Sequence, residues 1–505
     1  MKKNSNAFIL IKSLTMSEKR YFKIFSERHT IGTQNKYVAL FSELEKNKTE
    51  NDIEIKKNLK ELGINADFIS ADKNYLYQLI LRSLNEFHNS KTFNLQVKEL
   101  LLSIEILFHK GLYNESLKLI TKAEELADEC ENFQLMIDIL TWKKKCRGYS
   151  LGLKKASEVN LEIDKYLVLL NNLKHITDIY YESNVMQAQN EQHSKDDVLK
   201  KFKLILNQPI LKFEKNALSF SAKIFYHLIY SNYYYSIDDK ENEFYHLQKL
   251  VDILNVSKTY STENPLDYVS IYNRLLSIKK FFPSSSFFED IKVLNDFTKK
   301  INIRKEVITD RVFIHTNTHE LEYYLINNNF QQALDKIILI ENQISALKMN
   351  IEPYHMLYFY YLHAITLVCV GQFNKALKFV NKSLNEFNFE SRPQVYSRIE
   401  VLNVIIHYEL KNYTLVQSIS KLVLKNKRLN QILNPFEEGI LKILLKITSS
   451  KHLTLKEEIT YLESFAKTMN DITSEKKSSS NSLIANYEKW LMAKIKRKLV
   501  CEVYK

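Results

Sequence analysis

The chain has 505 residues, 45% hydrophobic and 26% charged, enough apolar surface for a large ordered core, which excludes a disordered chain. Its 7 Gly and 6 Pro are too few for the turns of a strand-rich fold, so the expected class is all-α. Lys and Arg number 72 against 59 Asp and Glu, and the net charge of +13 admits nucleic acid or an anionic surface as partner. The excess is mostly lysine and accompanies abundant Asn, Ile and Tyr, as an AT-rich coding sequence would give.

Cys130, Cys146, Cys369 and Cys501 stand apart with no CxxC pair, which argues against a disulfide scaffold or a cysteine zinc site. Neither cofactor nor metal is expected. Ala7 to Ile11 is too short for the apolar region of a secretory signal, and the longest later apolar stretch, Met356 to Val370, is shorter than a bilayer span. These features predict a cytoplasmic protein with no membrane span.

Residues 1–90 are predicted to form a helical N-terminal module. Thr15-Met16-Ser17-Glu18 is a capping-box pattern opening a helix through Tyr21, Phe22, Ile24 and Phe25. Three more helices are expected over 35–47, 51–62 and 67–89. Four short helices can house a helix-turn-helix, with Lys56, Lys57 and Lys60 toward phosphates, although no recognition helix stands out. The order Ser17, Glu18, Lys19-Arg20, Tyr21-Phe22 resembles the opening of a group of uncharacterised bacterial proteins of about this length, a similarity that brings no activity with it.

From 94 to 470 the chain repeats. Phe330, Phe373 and Tyr413 begin similar stretches 43 and 40 residues apart, and Tyr113 begins an earlier one. Pro353, Pro393 and Pro435 recur at 40 and 42, with Pro265 two periods upstream. Proline is favoured in the first turn of a helix, so each should open the first helix of a pair. Apolar residues between these markers recur at three and four, the helical period. Each period therefore holds two helices, about nine pairs in all.

The spacing Tyr360, Ala364, Leu367, Gly371, Phe373, Ala376, Val380, Ser383 resembles the tetratricopeptide repeat, and Leu100 to Ala123 follows the same pattern. The period of 40 to 44 is longer than the family's, about 34, and no copy carries the whole signature. The resemblance implies a tetratricopeptide-like α-solenoid. Beyond it, residues 474–505 are expected to form a polar hinge and a capping helix, with Ile484, Tyr487, Leu491, Ile495 and Leu499 on one face.

Catalytic patterns are weak. Gly148-Tyr149-Ser150-Leu151-Gly152 matches the G-x-S-x-G string, but a polar helix end precedes it where a nucleophile elbow needs a strand. His315 and His319 are one turn apart, yet Thr316 stands where a metalloprotease needs Glu. The seven glycines never fall into G-x-G-x-x-G or Walker spacing. No enzyme activity is expected.

Lys143, Lys144, Lys145, Arg147, Lys154 and Lys155 form the densest basic cluster, a candidate anion or nucleic-acid patch. If the pairs stack as in tetratricopeptide proteins, the first helices line a concave face carrying His315, Glu322, Tyr358, Tyr361 and Arg398. Aromatic and Arg anchors suit an acidic or aromatic peptide. The expected function is a non-catalytic protein- or peptide-binding scaffold. The alternative is a transcriptional or signalling regulator whose N-terminal module binds nucleic acid and whose repeats sense a signal.

Overall fold

A computed structural model describes residues 5–504 except 29–34, 66, 190–194, 258, 283–285, 302–304, 347–351, 451–452 and 476–483. Every regular element among the described residues is helical, with no strand. No described helix is long and apolar enough to cross a membrane. The chain divides into two compact units, Met1–Lys174 and His175–Lys505.

In the first unit Thr15 and Glu18 close the expected capping box on the helix Met16–Glu27. Helices Lys36–Lys46, Asp52–Glu61 and Ile69–His88 follow within a residue or two of their expected bounds. A fifth helix, Asn6–Ser13, was not anticipated. It is anchored from outside its own stretch, the Ser5 hydroxyl donating to Glu50 at 2.6 Å while Phe8 and Ile11 enter the core. A second core, of Val97, Ile104, Ile120, Ala123, Met136 and Ile139, joins helices Phe93–His109, Tyr113–Glu129 and Phe133–Leu151.

In the second unit successive helices pair: Phe220–Ser236 with Lys240–Val256, Pro265–Lys279 with Ser286–Lys300, and Lys305–Ile326 with Phe330–Ala346. Pro353–Cys369 with Phe373–Glu386 and Pro393–Glu409 with Tyr413–Lys425 continue the series, and Pro435–Ser449 packs on Leu455–Glu475. From Pro265–Lys279 onward each first helix also touches the first helix of the next pair. All four clock prolines lie in a helix's first turn.

The marker aromatics have a local cause. Gly111, Asn328, Gly371 and Lys411 have positive φ, and the next helix begins two residues later at Tyr113, Phe330, Phe373 and Tyr413. In each turn a backbone N–H reaches a carbonyl five residues back, as Gln372 N to Leu367 O at 2.8 Å, the Schellman closure. Glu131, with Phe133 two residues on, and Asp238, with Lys240 there, make the same turn without glycine, and those copies escaped the sequence reading.

Two expectations need correction. The helix Phe133–Leu151 does not end before Gly148 but runs on through Leu151, with the Ser150 hydroxyl bonded to Cys146 O at 2.8 Å; only Gly152 turns, at φ 90. The last helix ends at Ile495 rather than continuing through Leu499, because Arg497 adopts φ 55 and a short helix Val500–Val503 follows. Of the expected hinge, 476–483 lies outside the described residues, and Ser474 and Glu475 belong to the preceding helix.

Candidate functional site

The first helices of the second unit carry a row of hydrogen-bonded polar side chains. Asn232 Nδ2 donates to Ser183 Oγ and Asn184 Oδ1, both at 2.8 Å. Arg274 donates to Ser231 Oγ at 2.8 Å and Asn232 Oδ1 at 2.7 Å. One residue earlier on that helix, Asn273 Oδ1 lies 2.8 Å from His319 Nε2, whose Nδ1 lies 3.0 Å from Glu322. Lys280 Nζ reaches Glu322 Oε2 at 2.6 Å, the Tyr358 hydroxyl donates to the other carboxylate oxygen, and Arg392 lies 4.7 Å over the Tyr358 ring. Asn232, Arg274, His319 and Tyr358 are 42, 45 and 39 residues apart, so the row has the period of the helical pairs.

Glu322 is the hub. Burial alone would raise its carboxyl, but the Lys280 ammonium and His319 hold it well below the usual carboxylate range. His319 therefore has both ring nitrogens engaged, and among the described residues no three His, Cys, Asp or Glu side chains cluster to hold a metal. His315 sits beside His355, ring centroids 5.4 Å apart, and burial pushes its imidazole down to about 3.

Tyr358 and Tyr361 were expected open to solvent, and the structure buries both. The Tyr361 hydroxyl meets that of Tyr487 at 3.2 Å, and Tyr487 donates to the Arg398 carbonyl at 2.9 Å. The helix Ile484–Ile495 thus lies across the first helices, where a solvated terminal cap was expected. Lys489 caps the end of Lys305–Ile326 by donating to Leu325 O at 2.9 Å, and Trp490 Nε1 donates to Glu409 at 2.8 Å. Arg398 turns its guanidinium to Glu437 at 3.4 Å. Covered on every side, residues 357–369 can be apolar all round, which is why Met356–Val370 is the longest apolar stretch.

Two of the six cations of the basic cluster are paired with carboxylates. Lys143 bonds Glu124 at 2.8 Å and Glu162 at 2.7 Å, and Lys155 meets Glu158 at 3.0 Å. Lys145 lies 4.1 Å over Trp142, while Lys144, Arg147 and Lys154 have no ion pair among the described residues. Lys57 and Lys60 are likewise within 4.0 Å of Glu61 and 3.6 Å of Asp67.

Sequence reasoning missed Arg274, Asn232 and Lys280, and gave Tyr487 only a place on the capping helix's apolar face. Asn232 and Arg274, like Lys280 and Glu322, are 42 residues apart, a spacing that made them findable. Arg274 lines a cavity of about 240 Å³ with Tyr180, Asn184, Phe225, Tyr260 and Ile271. Its guanidinium bonds only neutral oxygens among the described residues, with no carboxylate within ion-pair distance. Burial raises Glu243 to about 7 despite Arg274 nearby, so that this acid is only partly charged near neutrality, and burial also raises Asp267 on the cavity wall.

One buried histidine makes stability depend on pH. Among the described residues neither His363 nitrogen has a hydrogen-bond partner, and burial pushes the ring down to about 3. The unfolded chain therefore takes up a proton below about pH 6.5 that the folded chain refuses, and stability falls as the pH drops from there toward the folded value. His363→Leu should gain about 2 kcal/mol relative to the parent between about pH 7.5 and 5. Urea unfolding at both pH values checks this, and an unchanged difference would show that His363 is not the titrating group.

No family model matches the chain, and no curated protein matches it.

Proposed function

We propose that His175–Lys505 is a tetratricopeptide-like repeat array acting as a non-catalytic scaffold in the cytoplasm, and that it binds a peptide or protein through an acidic group seated on Arg274. The observation that carries this reading is a guanidinium held by Ser231 and Asn232 on the wall of a cavity, with no carboxylate within ion-pair distance among the described residues. A guanidinium grips a carboxylate through parallel N–H bonds, and the flanking Phe225 and Tyr260 add apolar area. The period of the polar row supports a repeat array, and the buried Tyr358 and Tyr361 serve it as packing rather than as contacts.

The test is an array of labelled peptides that differ in acidic content, followed by titration of those retained. Acidic peptides should be enriched, and Arg274→Gln should weaken them about thirtyfold with unchanged circular dichroism. Peptides retained without regard to acidity, or bound equally by Arg274→Gln, would place the partner elsewhere.

A further inference from the structure

Within Met1–Lys174, a group of aromatic rings stands at the surface where the turn after Phe93–His109 meets the middle of Phe133–Leu151. Tyr149 is 71% exposed. One face of its ring stacks on Tyr113, centroids 5.3 Å apart, and Phe108 meets its edge at 5.5 Å. Trp142 packs edge-on to Phe108 at 5.4 Å and lies under Lys145. The rings are thus held by one another, and the most exposed of them is braced from behind.

Unpaired cations stand around these rings. Lys110, Lys144 and Lys145 are exposed and have no ion pair among the described residues. Lys144, Lys145 and Tyr149 project from one half of their helix, at about 100° per residue. Two nearby acids are already engaged, Glu105 3.9 Å from His109 and Glu115 2.9 Å from Lys118. Lysines consumed in internal ion pairs, such as Lys143 and Lys155, lie on other sides of the cluster.

We propose that this surface binds single-stranded nucleic acid, a base stacking on Tyr149 while Lys110, Lys144 and Lys145 meet the phosphates. A rigid aromatic ring beside cations is the combination that grips a flexible polyanion with flat bases, and it needs no sequence-specific hydrogen bonds. A duplex offers the same phosphates but keeps its bases stacked inside, so it gains nothing from Tyr149. This inference is independent of the Arg274 cavity, and either can fail without the other.

Titration of the full chain into fluorescein-labelled oligothymidylate, followed by anisotropy, tests it. Three phosphate contacts predict a slope of log affinity on log salt of about −2. Lys144→Ala with Lys145→Ala should bring the slope to about −0.7. Tyr149→Ala should weaken binding about tenfold with the slope unchanged. Tyr149→Leu, which keeps the apolar volume over Tyr113, should lose as much, so that any loss from unfolding is recognised. Binding should also quench Trp142, while Trp490 in the other unit reports no change. No binding at about 50 mM salt, equal binding of a duplex, or a Tyr149→Ala variant that binds like the parent overturns the proposal.

Discussion

Glu322→Leu is expected to destabilise the chain by about 3–5 kcal/mol, because it leaves the Lys280 ammonium, 8% exposed, without its counter-charge. His319 and Tyr358 lose their acceptor at the same time. Replacing both members of the pair, Lys280→Met with Glu322→Leu, should recover most of the loss, since two apolar side chains of similar volume carry no buried charge. The remainder, about 1 kcal/mol for each orphaned donor, belongs to His319 and Tyr358. Urea unfolding of the parent and the two variants measures this. If single and double variants unfold alike, Lys280 reaches water and the row is not a coupled network.

Tyr487→Ala should cost about 3–5 kcal/mol, the usual range for removing a large buried aromatic. Its ring is fully buried among Tyr361 and the helix Pro393–Glu409, and its hydroxyl bonds both the Tyr361 hydroxyl and the Arg398 carbonyl. Tyr487→Phe removes only the hydroxyl and should cost about 1 kcal/mol. The Ala variant should also be cut by protease within Ile484–Ile495 at lower concentration than the parent, as the last helix lifts. A loss under about 0.5 kcal/mol, the range of ordinary surface changes, would make Ile484–Ile495 a loosely held appendage.

The helix boundaries that were legible have causes within a few residues. Thr15 caps its own helix through Glu18, and Pro353, lacking an N–H, can only begin one. Gly111 and Gly371 mark the turns in which a left-handed residue costs least. Lys411 and Asp238 take up the same conformation against their preference, because the helices on both sides already fix the turn. Helix class and the 40-residue rhythm therefore follow from composition, spacing and backbone sterics alone.

The fate of the inner side chains was settled by contacts between distant parts of the chain. Tyr361 had the register of an exposed position, and it is buried by Tyr487, 126 residues later, whose placement no local period encodes. Lys280 and Glu322 are 42 residues apart and unremarkable singly; once apposed in the interior, each makes the other's charge tolerable. Lys143 looked like part of a basic patch until Glu124 and Glu162, each 19 residues away, closed on it. Arg274 differs because packing brings it only neutral oxygens, and its charge stays available at the cavity wall. Charge and aromaticity are written residue by residue, but whether they are satisfied within the chain or left for a ligand depends on what folding places within about 4 Å.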